Sequence, residues 1–145
     1  MELETNSQAV FSAVELDRDE CLALLRQATI GRIVLSLKCL PVALPINICV
    51  IDDAVMFATD IGSKLDAAVS GQVVSIEVDE IDSSDRTGWS VIVTGVADLV
   101  TDRVQFEKAR TSLHPWAPGP HPFFVQVPTT LISGRRLMWI QEDVA

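Results

Sequence analysis

Val73–Asp102, VVSIEVDEIDSSDRTGWSVIVTGVADLVTD, is the stretch that decides the fold. Val74, Ile76 and Val78 alternate with Ser75, Glu77 and Asp79. That period of two marks a strand with one face in the core. Asp82–Gly88 is polar and rich in turn formers, and apolar residues resume at Trp89. Two strands across a short polar loop are antiparallel neighbours. The spacing predicts strands over Gln72–Ile81 and Trp89–Thr101, with Gly95 at a bulge or barrel corner.

Working upstream, Ile30–Leu37 reads as a strand, Lys38–Leu40 as a turn and Pro41–Ile51 as the returning strand. Asp52 and Asp53 form the next turn, before a short strand from Val55 to Ala58. Strands in succession without helices favour an antiparallel barrel or sandwich. Pro41 and Pro45 cannot donate to a ladder, so their strand belongs at an edge or carries a bulge. Helices are few and short. Asp17 with Glu20 makes a capping box for one that ends near Ala28. Ser63–Ser70 is a second, with Gly71 as its C′ residue. Asp102 caps a third, up to about Leu113. Pro115, Pro118, Pro120 and Pro122 then hold an extended, stiff loop. Phe123–Val127 and Ser133–Ile140 are the last strands. Residues 1–13 read as a flexible polar tail and 14–145 as a single, mainly β domain.

The chain has 145 residues, 48% of them apolar, enough for one core. Its formal net charge of −9 argues against nucleic acid as a partner. No apolar run is long enough for a membrane span, and no secretory pattern opens the chain. The expected setting is cytoplasmic. Cys21, Cys39 and Cys49 are too scattered for a disulfide framework or a zinc site, and no metal cluster is evident. Lys64, Arg86, Arg135 and Arg136 are available for a local basic pocket.

Val55–Leu65, VMFATDIGSKL, carries the chemistry. A short strand runs through Thr59 and a Gly62 turn into Ser63 and Lys64 at a helix start. Backbone N–H groups, hydroxyls and one ammonium at a helix N-terminus form an anion seat, suited to the phosphate of a cofactor or nucleotide. The same residues also suit an ordinary capped strand–turn–helix. Lys64 in a first turn opposes the helix dipole, a cost that a bound phosphate offsets.

Three further segments carry a resemblance: PVALPINICVIDDAVMF, Val73–Asp102, and HPWAPGP before a strand holding Arg135 and Arg136. In this order they resemble the pyridoxamine 5′-phosphate oxidase-like family of flavin-binding split β-barrels, most closely its small actinobacterial-type members, over roughly residues 14 to 137. The resemblance implies an antiparallel split barrel. It implies a homodimer with cofactor sites between subunits, holding FMN or a deazaflavin. The implied activity is that of an oxidoreductase passing hydride to a small planar redox-active substrate. It places Pro45 and Asn47 against the cofactor ring, Thr59, Ser63 and Lys64 at its phosphate, and Trp89 and Trp116 as aromatic walls. Asn47 bonded to its own turn, and the tryptophans as core or interface packing, are the alternatives.

Two departures matter. Many relatives carry an Arg near Ala58, where Phe57, Ala58 and Thr59 supply no charge. Losing a charge-assisted contact costs about 1.5–3 kcal/mol, unless Arg32 or Arg86 substitutes. The residue after Asn47 is Ile48 rather than an aromatic, and no Tyr is present, so no mechanism here uses a phenol. The alternative function is a non-catalytic flavin or haem carrier, or a member that has lost its cofactor. His114 and His121, each able to act as acid/base or haem ligand, read instead as loop residues. No catalytic residue is assigned.

Overall fold

The computed structural model describes residues 7–59, 71–113 and 123–143. Ten strands and two helices are described: β1 (Ser7–Glu15), α1 (Arg18–Gln27), β2 (Ile30–Leu37), β3 (Leu40–Asn47), β4 (Cys49–Ile51), β5 (Ala54–Thr59), β6 (Val73–Ile81), β7 (Gly88–Val96), β8 (Asp98–Leu99), α2 (Arg103–Ser112), β9 (Phe123–Pro128) and β10 (Leu131–Asp143). They form a six-stranded sheet, β1-β10-β7-β6-β2-β3, and a four-stranded sheet, β4-β5-β9-β8. All pairings are antiparallel. The sheets are not closed into one ladder, so the expected barrel is present as two open sheets around a shared core.

The alternation in β6 and β7 fixes which face is inside. Val74, Ile76, Val78, Val91 and Val93 are buried and meet Ile33, Leu35, Val55 and Phe57 in the main core. β3, with Pro41 and Pro45, is an edge strand, as a missing ladder donor requires. A second, smaller cluster lies on the far side of β5. There α2 lays Ala109 and Phe106 over Met56, Val100 and Phe124, and the Phe106 and Phe124 rings meet edge to face at 4.8 Å.

Local capping is as the side chains dictate. Asp17 accepts from the Glu20 amide at 2.8 Å and Asp102 from the Gln105 amide at 2.9 Å. Helix α1 buries Cys21, Leu22 and Leu25. Its close approach needs Gly134 on β10, where a Cβ would lie 2.8 Å from the Cys21 sulfur. Arg18 ties the helix to the β9–β10 turn, donating to the Thr129 carbonyl at 2.7 Å. Gly71 has φ +78°, the left-handed conformation expected of a C′ residue. The helix expected over Ser63–Ser70 lies outside the described residues.

Three elements differ from expectation. Residues 7–13 are not a loose tail: they are most of β1, paired with β10 from Ser7↔Asp143 to Glu15↔Arg135. Strand β1 is mostly exposed, so its partner rather than its own burial orders it. The strand read over Pro41–Ile51 divides at Ile48, where the chain leaves β3 in one sheet for β4 in the other. Trp89–Thr101 likewise divides at Ala97 between β7 and β8. In both places one continuous apolar run serves two sheets.

Candidate functional site

Strand β5 carries the first residues of the VMFATDIGSKL segment, up to Thr59, along the core. Val55, Met56 and Phe57 are fully buried, which anchors the strand up to Thr59. Thr59 is itself 4% exposed, and its Oγ1 is buried with no hydrogen-bond partner among the described residues. A buried hydroxyl left unpaired costs about 1–3 kcal/mol. Its neighbour in the β9 ladder is Phe123, whose ring offers no compensating bond.

β5 runs antiparallel to β4, so Thr59 returns toward the crossing at Ile48 where β3 ends. β3 and β5 touch. Pro45 pairs with Arg32, and Asn47 with Ile30, so both face outward from the six-stranded sheet. Asn47 is half-buried, and Pro45 is exposed. Trp89 faces the other way: it shares the parity of Val91 and Val93 and packs against the main core. Pro45 and Asn47 thus face outward near the crossing at Ile48, whereas Thr59 shares the parity of Val55 and Phe57 on β5 and, like Trp89 on β7, lies on the side of the main core. Ser63, Lys64 and Trp116 lie outside the described residues, as do His114 and His121.

Arg32 does not reach toward Thr59. Its guanidinium donates to Asp79 at 2.7 Å and Glu77 at 3.3 Å on the outer face of β6. Burial raises the Glu77 carboxyl to about 7, and its neighbour Asp79 adds to the effect. Arg32 opposes both, but its closer contact is to Asp79. One Glu77 oxygen, Oε1, is buried without a partner among the described residues. Two carboxylates at i and i+2 on the polar face of β6 are the sequence signal for this cluster. Glu77 also lines a cleft of about 400 Å³ with Glu15, Ser90, Ile92, Ser133 and Arg135. Burial pushes the Cys49 thiol up to about 11, which keeps it protonated and unreactive near neutral pH. Among the described residues no group of His, Cys, Asp and Glu is arranged to hold a metal. No described helix is long and apolar enough to cross a membrane.

Residues 17–136 match the family described as pyridoxamine 5′-phosphate oxidase. The chain belongs to this family. It is 37% identical over 136 residues to the uncharacterized protein Rv0080 of Mycobacterium tuberculosis (strain ATCC 25618 / H37Rv), covering 90% of each. Its fold matches the FAD binding protein from Mycobacterium smegmatis, with a TM-score of 0.69 and 33% identity over 88% of this chain and 100% of that one. A conserved protein of unknown function from Corynebacterium diphtheriae matches with a TM-score of 0.70 and 28% identity, over 87% and 98% of the two chains.

Proposed function

We propose that the chain is a flavin-binding, oxidoreductase-like member of its family, transferring hydride to a small planar redox-active substrate. The observation that carries the reading is the buried, unpaired Thr59 hydroxyl at the mouth of the VMFATDIGSKL turn. A phosphate oxygen accepting from Thr59 Oγ1 offsets the cost of that orphan, and Ser63 and Lys64 follow in the same segment. The residues present therefore fit a phosphorylated cofactor. Pro45 and Asn47 border the crossing and meet the polar edge of its ring. Trp116 is the aromatic candidate for its wall, since Trp89 packs against the main core.

The cofactor supplies the hydride chemistry when bound. The chain's own work is to fix the phosphate with Thr59, Ser63 and Lys64 and to orient the ring by backbone and amide contacts near Asn47. The site lies in the groove of a homodimer, each subunit completing the other's. FAD is the first flavin to test, because the Mycobacterium smegmatis relative at 33% identity is an FAD binding protein. FMN and a deazaflavin are the others.

A second reading, binding of flavin or haem without turnover, is favoured by the uncharged stretch Phe57–Thr59 and by the engagement of Arg32 with Asp79 and Glu77. Titration of the purified protein with FAD, FMN and a deazaflavin, followed by tryptophan quenching, separates these. Saturable binding of one of them is expected. Thr59→Val should weaken it about five- to tenfold while stabilising the unliganded fold by up to about 1 kcal/mol. Lys64→Ala should weaken it by at least about tenfold. A Thr59→Val chain that binds as tightly as wild type refutes the phosphate assignment. Bound flavin that no donor and acceptor pair turns over selects the carrier.

A further inference from the structure

The cleft beside Arg135 has a chemistry that the cofactor seat does not use. It measures about 400 Å³ and lies on the outer face of the six-stranded sheet. The ladders set its lining and nearest neighbours in two rows across the strands. Glu15, Arg135, Ser90 and Asp79 follow one another from β1 through β10 and β7 to β6. Two residues along, Ser133, Ile92, Glu77 and Arg32 run from β10 through β7 and β6 to β2.

Two groups in these rows are left with unused bonding capacity. Arg135 has no ion pair among the described residues, although Glu15 stands across from it in the ladder. A free guanidinium is matched by a planar anion, which it takes through two parallel N–H bonds. Glu77 Oε1 is buried without a partner among the described residues, and Arg32 spends its closer contact on Asp79. The Glu77 carboxyl keeps its proton to about 7. At neutral pH and below it therefore has an O–H to donate to a carbonyl oxygen. Ile92 lies between the two groups and gives a flat ring an apolar floor, with the Ser90 and Ser133 hydroxyls beside it. Arg135 and Glu77 are two strands and two residues apart, about 12 Å between Cα atoms. Their long side chains narrow that span to the width of a fused two-ring molecule.

We propose that this cleft binds a small planar carboxylate that also carries a carbonyl, with Arg135 pairing the carboxylate and Glu77 meeting the carbonyl oxygen. Glu15 sets a sign for the test. Its negative charge beside Arg135 weakens the hold on an anion, so removing it tightens binding. An organic cation would show the reverse, losing affinity with Glu15 and gaining it with the loss of Arg135.

The cleft adjoins the proposed ring site. Pro45 pairs with Arg32 and Arg32 with Glu77, so Pro45 is two strands, about 10 Å, from Glu77 on the same outward face. The ligand is then the planar substrate of the function proposed above, a role that rests on that reading. Affinity follows the Glu77 proton. The charged groups facing Glu77 among the described residues are Asp79 on its own strand, Arg32 on β2, and Arg135 and Glu15 across the cleft; β7 offers Ser90 and Ile92, which do not titrate. Ionised Glu77 cannot donate and repels a carboxylate nearby, so binding is full below about 7 and falls above it.

The test is isothermal titration of the purified full chain, with and without added FAD, by chromone-2-carboxylate, a fused two-ring probe with one carbonyl and one carboxylate. Chromone, which lacks the carboxylate, is the comparison. Saturable binding at or below about 1 mM is expected at about pH 6, with chromone about fivefold weaker or more. Arg135→Gln should weaken the carboxylate probe about fivefold or more, and Glu15→Gln should tighten it about twofold or more. Raising the pH to about 8.5 should weaken wild type about tenfold. Glu77→Gln, whose amide donates at either pH, should bind at both with the affinity wild type has at about pH 6. No saturable binding overturns the proposal, as do an affinity that Arg135→Gln leaves unchanged and a pH profile shared by wild type and Glu77→Gln. The reversed signs at Arg135 and Glu15 overturn it in favour of a cation. Should a variant fail to fold by circular dichroism, wild type alone decides: chromone binding as tightly as its carboxylate, or an affinity level between about pH 6 and pH 8.5, refutes the site. Flavin titration of the same chain keeps the two readings apart. Flavin bound without the probe rejects the cleft and retains the cofactor site, whereas the probe bound without flavin retains the cleft and removes its role as a substrate site.

Discussion

At the scale of single residues, Glu77 sets a pH dependence. In the folded chain it holds its proton to about 7, against an ordinary value of 4.5. Between those values the folded state binds more protons than the unfolded chain, so this group's contribution to stability is full below about 4.5. It is lost as pH rises through about 7 and stays level above. Glu77→Gln removes the ionisable group. It should leave stability near pH 5 almost unchanged and raise it at about pH 8 by about 1–2 kcal/mol, less than the full shift implies because the side chain keeps some solvent contact. Urea melts of both chains at the two pH values check this, and parallel pH profiles for the two proteins would refute the assignment. Gly134→Ala acts by packing instead. Its Cβ would meet both the Cys21 sulfur and the Ser90 carbonyl at 2.8 Å. Helix α1 must move off β10, at a cost of about 1–3 kcal/mol in the same melts.

At the scale of elements, the helix caps are separable units. Asp102→Ala removes the acceptor for the Gln105 amide and should cost about 1 kcal/mol, with Asp102→Asn restoring most of it. Thermal melts of the three chains decide it. What was legible here was local. Asp17 and Asp102 cap helices because their side chains reach amides three residues on, and β2 occupies Ile30–Leu37 as its β-branched run predicts. What was illegible depends on distant partners. Ser7–Ala13 has too little burial of its own to announce a strand, and only β10 makes it one. The crossings at Ile48 and Ala97 interrupt apolar runs that look continuous, because either sheet accepts the same residues. The candidate site divides the same way. Thr59 was visible as a donor beside a turn, but its lack of a partner is a property of packing around β5. The inward face of Trp89 was implicit in its parity with Val91 and Val93, which mark the core side of β7. The Arg32–Glu77–Asp79 cluster needed the β2–β6 register, which no local pattern reveals.

At the scale of the whole molecule, the formal net charge of −9 acts on every folded arrangement at once. The ion pairs among the described residues are on the surface and contribute little. General repulsion between carboxylates is therefore the larger electrostatic effect, and salt should screen it. Raising NaCl from about 0.02 M to about 0.5 M should raise the melting temperature by a few degrees. A fall would mean that attractive pairs dominate. The mainly β, antiparallel character and the family were legible from the order of strands and turns, while the division into two open sheets was not, because either sheet accepts the same apolar runs.

The pairing of Ser7 with Asp143 has a mechanical consequence. The first and last described residues sit side by side at the tip of one antiparallel ribbon. A pulling force applied across them is directed along the cross-strand hydrogen bonds, which in such a ladder stand perpendicular to the strands. The load then falls on one pair at a time, and the ribbon peels open like a zip toward Glu15 and Arg135. A fold whose ends lay at opposite extremes of the sheet would have to shear a whole ladder at once. This chain yields to tension from its edge inward, and a protease that grips a frayed end pulls along that same line of weakness.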